Sequence, residues 1–72
     1  MKSEKPQLTE KQVEILTYIS KGLDQESIAK MLGISYHSAR DRIKGLYKKL
    51  DVHNAGEAVS EGYQLGYLKV IE

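Results

Sequence analysis

Apolar residues recur at helical spacing in four separate stretches, each preceded by a residue suited to capping. Val13, Leu16 and Ile19, flanked by Ile15 and Leu23, make a stripe near the 3.6-residue period, and Gly22 stands where that helix should stop. Thr9 is placed to cap it, Gln12 to complete a capping box, and Leu8 with Val13 to form a hydrophobic staple. "QESIAKML" follows Asp24 as N-cap, with Ile28, Ala29, Met31 and Leu32 as its apolar set and Gly33 as its stop. Two turns do not hold alone, so this second helix requires neighbours to pack on.

The third stretch is the most regular. From Ser35 as cap to Leu50, the apolar positions Ala39, Ile43, Leu46, Tyr47 and Leu50 fall at i, i+4, i+7, i+8 and i+11. His37, Arg40, Asp41, Lys44 and Lys48 share the opposite face, with Ser38, Arg42 and Lys49 on a flank. Gly45 sits inside this helix, where it costs about 1 kcal/mol against Ala, and nothing in the sequence offsets that. A fourth helix is expected from an Asn54 cap to about Leu65, with Ala55, Ala58, Val59, Gly62 and Tyr63 along one side. Ala55, Ala58, Gly62 and Gly66 form a stripe small enough for another backbone to come close, which suits a contact between two copies of the chain.

No alternation long enough for a strand is present, so the expected fold is all-α, a four-helix bundle around a central helix-turn-helix without a wing. Residues 1–7 read as a polar arm, 8–68 as the folded domain and 69–72 as a tail, with "YLKVIE" only loosely packed.

Length and charge narrow the chemistry. Seventy-two residues bury only about 60% of the surface the unfolded chain exposes, so the core is small. There is no Cys for a disulfide or thiolate site, and the two His residues lack paired-ligand spacing, so neither metal nor cofactor is expected. No apolar run approaches a membrane span, which makes the cytoplasm, at the nucleoid, the expected location. The net charge of +1 hides an asymmetry: residues 35–50 carry five bases and one acid, whereas 51–72 carry one base and four acids. Catalysis is not expected. No nucleophile with a base, no phosphate-holding glycine loop and no room for a deep pocket are in view.

Two helices joined by a glycine turn, the second amphipathic and basic, are the pattern of a DNA-binding helix-turn-helix. Gln25, Ala29, Gly33 and Ala39 carry it: Ala29 and Ala39 are small where the helices cross, and Gly33 accepts a positive φ. The major groove admits an α-helix, and phosphates on its rims attract Lys and Arg. Arg40 and Lys44, one turn apart, are positioned to reach base edges, chiefly guanine O6 and N7. Asp41 either accepts from cytosine N4 or holds Arg40 and Lys44 in place by local ion pairing, the second being favoured. Ser35 and Ser38 at the helix start, the Tyr36 hydroxyl, and Arg42, Lys48 and Lys49 suit backbone phosphates.

The stretch over roughly residues 8–68 resembles the LuxR/GerE-type helix-turn-helix domain of bacterial transcription regulators. The matching elements are "LT" at 8 and 9, Glu14 followed by "IL", Gly22, "IA" at 28 and 29, "LGIS" at 32 to 35, "KL" at 49 and 50, Val52, and "AV" at 58 and 59. The resemblance implies a homodimeric regulator of transcription that binds double-stranded DNA with its third helix in the major groove. It puts Arg40, Asp41 and Lys44 at base-reading positions, Ser38 and Arg42 at phosphate-facing ones, and the fourth helix at the two-fold contact, for which the helix side carrying Ala55, Ala58, Val59, Gly62 and Tyr63 is the expected surface. RNA polymerase or a related regulator are the further partners it implies. Gln12, Ser27, Gly45 and Ala55 depart from the family's usual Glu, Glu, Asn and Arg. Two other assignments compete: a sigma region-4-like module, and an interaction module or inhibitor that pairs with a related regulator through the fourth helix.

Overall fold

Each helix of the chain begins at a side chain that accepts from the backbone N–H three residues on. Thr9 accepts from Gln12 at 3.1 Å, Asp24 from Ser27 at 2.9 Å, Ser35 from Ser38 at 3.0 Å and Asn54 from Glu57 at 2.9 Å. Each bond satisfies one of the donors a helix start leaves unpaired. The capping box is complete, since the Thr9 amide donates to Gln12 Oε1 at 2.9 Å. The computed structural model describes residues 6–69. Over that span the elements are α1 Glu10–Ser20, α2 Gln25–Leu32, α3 Tyr36–Leu50 and α4 Ala55–Leu65, with no strand among the described residues. The fold is all-α.

Helix ends follow the same local logic. Gly33 closes α2 at φ 68, and Ile34 donates back to the Ala29 carbonyl at 3.0 Å, so the chain turns sharply into α3. α3 ends on Asp51 at φ 60, the one described non-glycine residue with positive φ.

α1 and α3 each pack on all three other helices, whereas α2 and α4 do not meet. The core between them is Ile15, Leu16 and Ile19 of α1, Ile28 of α2, Leu46 and Leu50 of α3, and Ala58 of α4. Leu68 closes it from beyond α4. None of the described residues buries a polar side chain. None of the described helices is long and apolar enough to cross a membrane.

Several sequence expectations need correction. Met31 is 59% exposed rather than part of the apolar face of α2, because only Ile28 and Ala29 of that short helix are fully covered. The first residues of "YLKVIE" are not loose: Leu68 is core, and the Tyr67 hydroxyl donates to the Pro6 carbonyl while accepting from the Leu8 amide at 3.3 Å. The same pair of bonds ties Pro6, expected in a polar arm, to the domain. Residues 1–5 of that arm and 70–72 of the tail lie outside the described residues. Ala58 and Gly62, expected at a contact between copies, are inside the chain's own core. A Cβ on Gly62 would meet Leu68 Cδ1 and Leu16 Cδ2, so its smallness serves α1 and the closing segment.

Candidate nucleic-acid interface

α3 is braced from behind and open in front. Ala39, Leu46 and Leu50 are wholly buried, with Ile43 and Tyr47 half-buried beside them. Burial pushes the Tyr47 phenol above its ordinary pKa. His37, Arg40, Asp41, Lys44 and Lys48 are all exposed on the far side, and Ser38, Arg42 and Lys49 on the flank. Side chains of a helix three or four residues apart stack on one face, so burying one stripe forces the other outward.

The charge on that outer surface is uncompensated. Arg40, Asp41, Arg42, Lys44, Lys48 and Lys49 form no ion pair among the described residues. Five bases less one acid leave a formal +4 on residues 35–50. Asp41 therefore does not hold Arg40 and Lys44 by local ion pairing, contrary to the favoured expectation; its carboxylate stands free among the described residues.

The front edge of α3 is set by the turn. Ser35 Oγ accepts from the Ser38 amide and donates to Ser38 Oγ at 3.0 Å, which leaves the Ser38 hydroxyl proton available at the helix start. Gln25 Nε2, at the start of α2, donates to the Tyr36 carbonyl at 3.5 Å and couples the two helices of the motif. Tyr36 itself is 54% exposed, its ring edge-on to His37 with centroids 6.2 Å apart. Three kinds of group thus share one surface: free cations, hydroxyl donors at a helix N-terminus, and one free carboxylate. Such a surface attracts a polyanion and offers side chains of suitable reach for phosphate oxygens and base edges. No group of three or more His, Cys, Asp or Glu residues that could hold a metal ion occurs among the described residues.

The sequence-named site residues thus separate into two places. Ser35, Tyr36, Ser38, Arg40, Asp41, Arg42, Lys44, Lys48 and Lys49 all lie exposed on α3 or its cap. Of the α4 set, Ala55 and Tyr63 are exposed, Val59 is half-buried, and Ala58 and Gly62 are internal. His37 belongs to the outer face as much as the selected residues do, and its spacing of four from Asp41 was the signal for it.

Comparison with known families bears directly on this arrangement. The model of the family described as bacterial regulatory proteins, luxR family (GerE), matches residues 6–61, which span α1, α2, α3 and most of α4. The chain belongs to the luxR family. This luxR-family chain is 41% identical over 64 residues to the transcriptional regulatory protein YdfI of Bacillus subtilis, a match covering 89% of the chain and 30% of that protein. It is 33% identical over 72 residues to the transcriptional activator protein EchR of Dickeya chrysanthemi, covering 99% of the chain and 29% of that protein. The chain thus spans less than a third of the length of these curated relatives. No solved structure gives a significant match.

Proposed function

We propose that this luxR-family chain binds double-stranded DNA sequence-specifically as a homodimer, with α3 in the major groove, and thereby regulates transcription. The observation that carries this is the free cationic face of α3, held rigidly outward by the buried stripe of Ala39, Leu46 and Leu50. Arg40, Asp41 and Lys44 face the bases in this arrangement. Ser35, Tyr36, Ser38, Arg42, Lys48 and Lys49 face phosphates. The names of the two relatives, a transcriptional regulatory protein and a transcriptional activator protein, support the same role.

For the two-fold contact the exposed Ala55 and Tyr63 and the half-buried Val59 supply the surface on α4, since Ala58 and Gly62 are occupied within the chain. Two such copies call for half-sites about one helical turn apart. The continuation of the chain past Leu50 into a capped α4 favours this dimer over a sigma region-4-like role, which needs no such helix.

The test is a titration of duplexes selected from a random pool, followed by fluorescence anisotropy at several salt concentrations. The expected result is a two-fold consensus bound roughly a thousandfold or more above random duplex, with affinity falling steeply as salt rises. Equal binding of consensus and random duplex at physiological salt overturns the proposal.

A further inference from the structure

Asp41 stands in the middle of the cationic face with no cation on it. At about 100° per residue it lies within roughly 20° of the direction opposite Ala39, Leu46 and Leu50, so it is among the side chains that lead α3 into a groove. His37 precedes it by one turn on the same line and Gly45 follows by one, all three exposed. A helix seated in the major groove loses water from this line first. A carboxylate stripped of water without a hydrogen bond is heavily penalised, and phosphates on both rims repel it. A surface serving charge attraction alone has no use for an acid there.

The chemistry of the base edges narrows what can satisfy it. An ionised carboxylate only accepts hydrogen bonds. In the major groove the donors are the N4 amine of cytosine and the N6 amine of adenine; guanine O6 and N7, adenine N7 and thymine O4 are acceptors. On adenine the amine adjoins N7, which repels the second carboxylate oxygen, whereas cytosine presents its amine with no acceptor of its own on that edge. Aspartate is also short, so it reaches a base only where the helix backbone comes close. Gly45 permits this approach: it carries no side chain, and no protein atom outside its own turn lies within 4 Å of where a Cβ would stand.

We infer that Asp41 is a specificity residue of the DNA interface, accepting a hydrogen bond from N4 of a cytosine in each half-site, and that Gly45 lets α3 sit deep enough for the carboxylate to reach it. The inference rests on the DNA-binding role proposed above and adds what that interface reads. Thymine and guanine, which present only acceptors at that edge, are rejected.

The experiment is selection from a random duplex pool by the full chain and by Asp41→Ala, Asp41→Asn and Gly45→Gln, each first shown by circular dichroism to melt cooperatively. The unaltered chain is expected to select a cytosine at one position of each half-site. Asp41→Ala flattens that preference roughly tenfold and leaves the other positions intact. Asp41→Asn moves it toward adenine, because an amide both donates to N7 and accepts from N6. Gly45→Gln weakens the cytosine preference as well; a preference untouched by Gly45→Gln removes the glycine from the inference. If Asp41→Ala binds every duplex more tightly with an unaltered consensus, the acid is only a source of repulsion and the inference fails while DNA binding stands. If the unaltered chain selects no sequence, the inference and the DNA-binding role fall together.

Discussion

A Cβ built on Gly62 would lie 2.8 Å from Leu68 Cδ1, inside the closest approach that side chains make. Leu16 Cδ2 would stand at 2.9 Å on the other side, so α4 and α1 are as near as they are because residue 62 has no side chain. Gly62→Ala gains about 1 kcal/mol of helix propensity but forces fully buried Leu16 and well-buried Leu68 out of position, at a cost of about 1–3 kcal/mol. The expected net loss is about 0–2 kcal/mol, read as a lower urea midpoint.

Gly45→Ala should act with the opposite sign. Gly45 is helical and exposed, and nothing stands within 4 Å of an added Cβ. Stability is expected to rise by up to about 1 kcal/mol, and the melting temperature by several degrees for a domain of this size. A fall on thermal unfolding would contradict the open space seen there.

Asp51 caps α3 in the left-handed region at φ 60, where a Cβ is strained, and its carboxylate adjoins the partly negative end of that helix. Asp51→Gly relieves both effects. A gain of about 1 kcal/mol in chemical denaturation is expected, with the α3 surface unchanged.

The Ser27 amide, donating to the Asp24 carboxylate, holds that carboxyl below its ordinary pKa of 3.8. The contribution of this cap to stability is therefore complete above that ordinary value and is lost as pH falls through the lower folded one. Melting temperature followed from neutral pH to below 3.8 should decline at the acid end, and less so in Asp24→Asn, whose amide oxygen caps without titrating.

Cations of α3 should separate by role in binding. Arg40→Ala and Lys44→Ala are expected to cost roughly 1–3 kcal/mol each on the selected site and to relax its consensus. Lys49→Ala, on the flank, should weaken binding to all duplexes alike and reduce the slope of log affinity against log salt by about 1. Loss of site preference in Lys49→Ala, with Arg40→Ala unaffected, would reverse the assignment of faces.

The caps were legible because their bonds span three residues: Thr9 to Gln12, Asp24 to Ser27, Ser35 to Ser38 and Asn54 to Glu57 are written side by side in the chain. The amphipathic period of α3 was legible for a related reason, since a helix that buries Ala39, Leu46 and Leu50 has no freedom to hide Arg40 or Lys44. Helix boundaries and the outward set of side chains were therefore properties of sequence alone.

Small residues carried no such instruction. Ala58 and Gly62 fit a contact between copies as well as one within the chain, and only the approach of Leu16 from 46 positions earlier and Leu68 from beyond α4 settles them as internal. Met31 turned outward because three-dimensional packing around α2 covers Ile28 and Ala29 and stops short of it, and Tyr67 joined the fold through a bond to Pro6 spanning 61 positions. Local hydrogen bonding and periodicity determined the helices and the face that α3 presents. Tertiary packing decided which small and apolar side chains were spent inside, because those contacts join residues far apart in sequence and leave no pattern in it.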